Sequence, residues 1–234
     1  MNNAKNIVAA SGKVFIKDLA RLLPLGGTAV EIYEELQSKQ ISQKIQRLEE
    51  FYTNLAATVN AQEERINQEF VSKGDFLDVF EEATRHVVLE RQEEKRELYK
   101  NILVNSITST ECDYDKTERY FRLLDNLGIM ELRVLAVLDN PEQYNRSHGM
   151  IIKDPINNAY QSTWNTVTSV SVLTQVLGLK IHQVEETITV LFTNGLVIEN
   201  AMGQKINTNG NPIHVLKNLL TTRGRDFVRF LKAN

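Results

Sequence analysis

The C-terminal part of the chain carries side chains that could contact nucleic acid. Gln183 and Thr189 lie on the outward side of a predicted helix, where their amide and hydroxyl groups could bond base edges. Positive charge suited to phosphate contacts comes from Lys180, Lys205, Arg223, Arg225 and Arg229. The same helix presents Glu185 and Glu186, which would face phosphates with no cation on that helix to offset them. Duplex DNA binding is therefore one hypothesis, and we favour the binding of a partner protein over it.

A second cationic set lies near the N-terminus. Lys13, Lys17 and Arg21 recur every four residues, in a row beside the apolar residues Phe15 and Leu19 of a predicted helix. A basic amphipathic helix of this kind can lie on an anionic membrane surface. We favour the alternative, in which the apolar side packs on the protein body, because so few large apolar residues give weak adsorption to a membrane.

No residue spacing typical of catalysis, cofactor binding or metal binding occurs in the sequence. The histidines, His86, His148, His182 and His214, are scattered, and the motifs HExxH, GxxxxGK[S/T] and GxSxG are absent from the sequence. Cys112 is the single cysteine, which excludes a disulfide within one chain and fits a reducing environment. No run of about 18 apolar residues predicts a membrane-spanning helix. We therefore expect a cytoplasmic protein that is not an enzyme.

Composition and apolar spacing predict a mainly α-helical protein. Four prolines and eleven glycines among 234 residues favour long helices over a fold of strands and turns. From Ala29 to about Phe70, residues recur at alternating spacings of four and three; all are apolar except Gln62, and they are Ile41, Ile45, Leu48, Tyr52, Leu55, Val59, Gln62 and Ile66. This heptad stripe is typical of a coiled coil or a long bundle helix, and another helix must cover it.

Two arrangements would cover the heptad stripe. A second apolar series, from Phe76 to Leu103, follows a turn at Lys73 and Gly74 and could fold back as an antiparallel hairpin. The alternative is a coiled coil with a second copy of the chain. The stripe also favours self-association through the pairing of hairpins about a two-fold axis, so we predict a homodimer.

Residues 171–199 predict two helices joined by a tight turn and followed by a strand. Gly178 permits the positive φ angle that ends the first helix. The buried side of the second helix would be formed by Ile181, Val184, Ile188 and Leu191. The segments MGQK and TNGNP suit the turns of an extended β-wing, and a final helix closes the chain. This order of elements, preceded by a helix over MELRVLAVLDNP, is that of a winged helix-turn-helix.

The predicted fold is therefore mainly α, with two domains. Residues 1–127 form a long helical hairpin or bundle, and residues 128–234 form a winged helix-turn-helix with a small β-wing. The formal charge of −3 is unevenly distributed, since residues 150–234 carry eight lysines and arginines against five acids. The helical body is thus acidic and the C-terminal domain mildly basic.

Three stretches resemble bacterial proteins of the abortive-infection alpha family. They are EEKRELYKNILVNSITS, YFRLLDNLGIMELRVLAVLDNP and LTTRGRDF, within residues 76–230. The residues that fit the family outline are Glu94, Arg96, Leu98, Asn101, Leu103 and Ser106. The resemblance implies a bacterial or phage origin and a place in antiviral defence, and it brings no catalytic residues.

These observations lead to three hypotheses about function. The first is a non-enzymatic interaction or effector protein that oligomerises through its helices and binds an unidentified partner protein through the winged domain. The alternative is a DNA-binding transcriptional regulator, dimerised by the helical region. A third is an effector that acts on membranes through Lys13, Lys17 and Arg21.

Overall fold

The computed structural model describes residues 21–25, 27–39, 41–110, 112–149, 166–203, 205–207 and 212–232. These residues are mainly helical, as predicted. The chain divides into two compact units, which are described separately. Unit 1 spans Met1–Leu124 together with Phe230–Asn234, and unit 2 spans Asp125–Arg229.

Unit 1 is a bundle of helices. Its helices are α1 (Thr28–Ser38), α2 (Ser42–Asn60), the short α3 (Gln68–Val71), α4 (Gly74–Leu89), α5 (Glu93–Thr108) and α6 (Tyr114–Asn126, of which the first part belongs to this unit). A 3-10 turn, Glu63–Arg65, links α2 to α3. The helix α2 packs against both α4 and α5, and α1 packs against α2.

The long helix predicted from Ala29 to Phe70 is interrupted, which corrects the sequence prediction. It ends at Ser38, starts again at Ser42 and ends once more at Asn60. The second apolar series, from Phe76 to Leu103, is likewise interrupted between Leu89 and Glu93. The first break lets α1 pack on α2, which buries Tyr33 and Leu36. Because burial of large side chains outweighs a few lost helical hydrogen bonds, the folded-back arrangement is more stable than one straight helix.

The heptad stripe lies inside unit 1. Leu48, Tyr52, Leu55 and Val59 are at most 1% exposed, and the Tyr52 ring stacks on that of Phe80 from α4 at 5.8 Å. Helices of the same chain therefore cover the stripe, as the hairpin hypothesis requires. From Leu48 onward the stripe has no exposed side on which a second copy could pack, whereas Ile41 and Ile45 at its start are half-buried.

The last residues of the chain belong with α5 and α6, whereas the sequence prediction placed all of residues 128–234 in the second domain. The Asn105 side-chain amide, which is buried, donates to the carbonyl oxygens of Phe230 and Lys232, both at 2.9 Å. Asn101 donates to the carbonyl oxygen of Leu231 at 2.8 Å. These amides satisfy carbonyl groups that the end of a helix leaves without partners. Two asparagines of α5 thus hold the final helical turn in unit 1.

Unit 2 combines helices with a small antiparallel strand pair. Its elements are α7 (Ile129–Asp139), α8 (Pro141–Ser147), β1 (Thr166–Thr168), α9 (Ser169–Leu177), α10 (Ile181–Thr193), β2 (Lys205–Asn207), a 3-10 helix (Pro212–Leu216) and α11 (Thr222–Leu231, whose last two residues belong to unit 1). In the strand pair Thr166 lies opposite Asn207 and Thr168 opposite Lys205. The predicted strand at residues 196–198 forms one isolated bridge, between Val197 and Leu220.

Local signals set the ends of α9 and α10. Thr168 caps α9, since its hydroxyl oxygen accepts from the amide of Ser171 at 3.1 Å. Gly178 adopts φ 65° at the end of α9, and Gly195 adopts φ 70° just after α10, so both turns need the left-handed region that glycine enters at low cost. The prediction for Gly178 is confirmed.

Two buried tyrosines of unit 1 differ in their hydrogen bonding. Tyr33 donates to Glu49 Oε1 at 2.9 Å and accepts from Gln37 Nε2 at 3.2 Å. The buried Tyr52 hydroxyl makes no hydrogen bond with any described residue, although the Thr84 hydroxyl, which donates to the carbonyl oxygen of Phe80 at 2.8 Å, lies close to it. Burial raises the pKa of both hydroxyls, that of Tyr33 to about 12 with a contribution from Glu49.

Replacing Tyr52 with phenylalanine is expected to stabilise the protein. The change removes a buried hydroxyl without a partner and keeps the stacked ring, so the free energy of unfolding should rise by about 1 kcal/mol. Urea denaturation followed by circular dichroism measures it. The matched control is Tyr33→Phe, which removes two hydrogen bonds from a side chain that is as little exposed but whose hydroxyl lies nearer the surface, and it should lower stability by about 1 kcal/mol. Destabilisation by Tyr52→Phe would contradict the prediction.

Candidate interaction surface on unit 2

The outward face of α10 carries two exposed large apolar side chains. Ile181 is 58% exposed and Phe192 is 46% exposed. They are separated by about three helical turns, which puts them on one face roughly 16 Å apart along the axis. The sequence prediction placed Ile181 on the buried side, and the structure corrects it. Ile181 is the first residue of the helix, so it lies beyond the packed side that begins at Val184.

Carboxylates accompany the two apolar side chains. Glu185 lies on the same face between them, and Glu186 is the next residue; both are exposed. The helix from Ile181 to Thr193 contains no lysine or arginine. The outward face of α10, defined by Ile181, Glu185, Glu186 and Phe192, is therefore apolar at both ends, with Glu185 between them and Glu186 about 100° further round the helix.

The side of α10 that adjoins this face holds the helix firmly in unit 2. Val184, Ile188 and Leu191 are at most 2% exposed, and α10 packs against α7 and α9. At its start, the Gln183 side-chain oxygen accepts from the backbone amide of Lys180 at 2.9 Å. The outward face is thus presented by a helix whose position is fixed by core packing and by a capping interaction.

The two predicted base-contacting residues are already engaged within α10. Gln183 uses its side-chain oxygen in the capping interaction. The Thr189 hydroxyl donates to the carbonyl oxygen of Glu185 at 2.8 Å, and Thr193 donates in the same way to Thr189. Such local bonds occupy donors and acceptors that a DNA-reading helix would direct at base edges.

The predicted phosphate-contacting cations are differently placed. Lys180 and Arg223 are exposed. Arg225 donates through Nη1 to the carbonyl oxygen of Leu220 at 2.8 Å, and Arg229 pairs with Asp226 at 3.3 Å. Lys205 lies in β2, where its side chain is outside the part described. Arg225 and Arg229 therefore have partners within the chain, although all four cations of the set whose side chains are described are exposed.

The N-terminal cationic row falls mostly outside the described residues. Lys13 and Lys17 lie outside them, and Arg21 is helical and exposed. No helix in the described ranges is long and apolar enough to cross a membrane.

Candidate catalytic and metal-binding groups are dispersed. Within the described residues, no group of three or more His, Cys, Asp or Glu side chains could hold a metal ion. His86 stacks on Tyr99 with 5.0 Å between ring centroids, and His148 stacks on Tyr144 at 3.9 Å. The buried Cys112 thiol lies 3.2 Å from the Thr117 hydroxyl. These contacts belong to packing and give no arrangement of nucleophile and base.

The sequence reasoning missed Phe192 as a surface residue. Its spacing of eleven residues from Ile181 was a usable signal, since that interval returns to the same face of a helix. Compared with protein-family models, with curated proteins and with solved structures, the chain gives no match. The function proposed below therefore rests on the geometry of the outward face of α10 alone.

Proposed function

We propose that this chain is an interaction protein that binds a partner protein through the outward face of α10. The single observation that carries the proposal is the exposure of Ile181 and Phe192 on either side of Glu185. Binding energy at protein interfaces is concentrated in a few residues that become buried in pockets of the partner, and exposed large apolar side chains on a rigid helix are suited to that role. The complementary surface would offer two apolar depressions and basic residues between them.

We further propose that unit 2 is a winged helix-turn-helix used for protein recognition. Support comes from the order of α7, β1, α9, a glycine turn and α10, followed by β2 and α11. In this arrangement α10 occupies the position of the recognition helix. Its negative charge and its lack of lysine and arginine disfavour contact with phosphates and favour a protein ligand.

Loss of both apolar side chains is expected to abolish partner binding. Ile181→Ser with Phe192→Ser changes two side chains that are each about half exposed, and circular dichroism checks that the fold is retained. Immobilised wild type and variant would be compared as baits, with retained proteins quantified by mass spectrometry. A true partner should be depleted about 30-fold or more on the variant, because truncation of central interface residues commonly costs 2 kcal/mol or more.

The matched control removes exposed apolar surface elsewhere in unit 2. Met130 and Met202 are 38% and 39% exposed and lie outside α10. Met130→Ser with Met202→Ser should leave the retained partner unchanged. If the two double variants lose the same proteins equally, binding reflects general stickiness and the α10 proposal is wrong.

The regulator hypothesis makes an opposite prediction for DNA. Titration of the protein into labelled random duplex DNA at about 50 and 200 mM salt distinguishes the regulator hypothesis from our proposal. Binding through several phosphates weakens by orders of magnitude across that range. Under our proposal saturable binding is absent at both salt concentrations. Salt-sensitive binding that disappears with Lys180→Glu and Arg223→Glu would favour DNA recognition instead. These two exposed cations are preferable to Arg225, whose reversal would also break its bond to Leu220.

The place in antiviral defence that the family resemblance implies remains a prediction. Some residues of that resemblance have structural explanations. Asn101 bonds the end of the last helix, Leu103 is buried, and the Ser106 hydroxyl donates to the carbonyl oxygen of Ile102. The residues that carry the resemblance therefore serve the packing of α5, and they give no information about the partner.

A further inference from the structure

A groove between α1 and α4 of unit 1 combines an apolar floor with an acidic rim. Its volume is about 570 Å³, and Ile32, Leu36 and Val88 contribute apolar atoms to its lining. Leu89, at the end of α4, is 64% exposed and also lines the groove. An exposed leucine beside a concave apolar lining provides a surface on which another apolar side chain could be buried.

The charge around the groove is predominantly negative. Glu31, Glu35 and Glu81 line it, and a second depression of about 430 Å³ shares Glu81, Arg85 and Leu89 with it. The second depression adds Asp78, Glu82 and Glu118. Arg85, Lys39 and Arg122 form ion pairs with carboxylates of this set, and His86 lies 3.6 Å from Glu82, so six carboxylates face three lysine or arginine side chains and one histidine among the described residues. Such surface pairs are weak and exchange readily.

The negative field extends to a neighbouring tyrosine. The pKa of Tyr114 is raised, first by partial burial and then by Glu118, Glu82 and Asp78. This direction agrees with a depression in which carboxylates outnumber cations.

The rim is held in place by contacts with the rest of unit 1. The Arg47 guanidinium of α2 donates to the carbonyl oxygen of Val88 at 3.1 Å, which caps the end of α4 next to Leu89. Tyr33 of α1 donates to Glu49 of α2 at 2.9 Å. Both walls of the groove are thus attached to the same helix, so a ligand would meet a largely preformed surface.

We propose that this groove binds a cationic amphipathic helix of a partner protein. Carboxylates recur four residues apart on α1, at Glu31 and Glu35, and three or four apart on α4, at Asp78, Glu81 and Glu82. These intervals place charges about 5–6 Å apart along a helix, which matches lysines and arginines at the same intervals on a facing helix. The apolar side of that helix would cover Leu89 and the groove floor.

The negative charge of the groove and the separation of its carboxylates exclude other ligand classes. Nucleic acid and anionic lipid would be repelled by the excess of carboxylates. The described carboxylates do not converge in a group that could hold a metal ion. A ligand with several separated cations and an apolar side fits the arrangement. The inference goes beyond partner binding by α10 and does not depend on it.

The test uses a labelled synthetic helix and the full-length protein. The probe is a peptide in which leucines recur at spacings of three and four and lysines occupy the other positions, titrated by fluorescence anisotropy. Wild type should bind it saturably, and Glu31→Lys with Glu35→Lys should weaken binding by about tenfold, because two attractions become repulsions. Leu89→Ser should weaken binding severalfold through lost apolar contact. All of these positions are exposed, so the variants should fold.

The matched control reverses the same amount of charge elsewhere on unit 1. Glu63 and Glu64 are exposed on the 3-10 turn and do not line the groove. Glu63→Lys with Glu64→Lys should bind the peptide like wild type. Equal weakening by the two charge reversals would mean attraction by net charge alone and would overturn the proposal. It would also be overturned if wild type fails to bind, or if Leu89→Ser binds unchanged.

Discussion

Replacing Gly224 with alanine is expected to lower the free energy of unfolding by about 3 kcal/mol, a large effect for the addition of one methyl group. An alanine Cβ at this position would lie 2.0 Å from the carbonyl oxygen of Leu196 and 3.0 Å from its carbon. Real Cβ atoms do not approach backbone atoms so closely, so the start of α11 would have to move away from Leu196. Urea denaturation followed by circular dichroism would measure the loss.

The local hydrogen bonds make that movement costly. The amide of Thr221 donates to the Leu196 carbonyl oxygen at 3.0 Å, and the Thr221 hydroxyl accepts from the amide of Gly224 at 2.9 Å. Thr221 also donates to the carbonyl oxygen of Gly195 at 2.7 Å. Moving α11 away from Leu196 would strain all three of these hydrogen bonds, which hold the turn that follows α10.

A second glycine supplies the matched control for Gly224. A Cβ added to Gly74, the first residue of α4, would meet nothing within 4 Å. Gly74→Ala should therefore be neutral or stabilising by up to about 1 kcal/mol, since alanine favours helix and restricts the unfolded chain. If Gly224→Ala proved as harmless as Gly74→Ala, the close approach of α11 to Leu196 would not exist in solution.

Sequence patterns predicted the elements that depend on neighbouring residues. Apolar spacing located the stripe from Leu48 to Val59, and Gly178 marked the end of α9, because both signals are local. The interruptions after Ser38 and Leu89 could not be predicted in this way. No proline lies at either point, and only the burial of Tyr33 and Leu36 against α2 gives a reason for the first.

The candidate surface on α10 was predicted only in part. The two glutamates and the lack of cations were evident in the sequence, and they already favoured a protein ligand. The exposure of Ile181 depends on where α10 begins relative to its neighbours, which periodicity does not determine. The binding of Phe230 and Lys232 by Asn105 joins residues 125 or more positions apart, so no local pattern reports it.

The two proposed surfaces share a chemical character. The face of α10 and the groove of unit 1 each combine exposed apolar side chains with an excess of carboxylates. Each would therefore select a ligand that has apolar groups flanked by lysine or arginine, and each would reject nucleic acid. Under the two proposals the protein would bring two basic partners together, as an adaptor does.

Replacing Leu55 with alanine is expected to lower the free energy of unfolding by about 3 kcal/mol, with a midpoint that does not depend on protein concentration. Leu55 is completely buried within one chain, in the stripe that α4 and α5 cover. Its truncation would leave a cavity that the surrounding helices cannot fill. Urea denaturation at protein concentrations spanning about two orders of magnitude provides the measurement, since folding coupled to dimerisation shifts with concentration.

The outcome bears directly on the predicted homodimer. If the stripe were an interface between two copies, Leu55→Ala would shift the monomer–dimer equilibrium, and dilution would destabilise wild type and variant alike. The control is Leu89→Ala, the same chemical change at a leucine that is 64% exposed, and it should change stability by less than about 0.5 kcal/mol. A concentration-independent loss at Leu55 alone would assign the stripe to the core of one chain. Any homodimer would then have to form through a different surface, for which the exposed apolar side chains of α10 are one candidate.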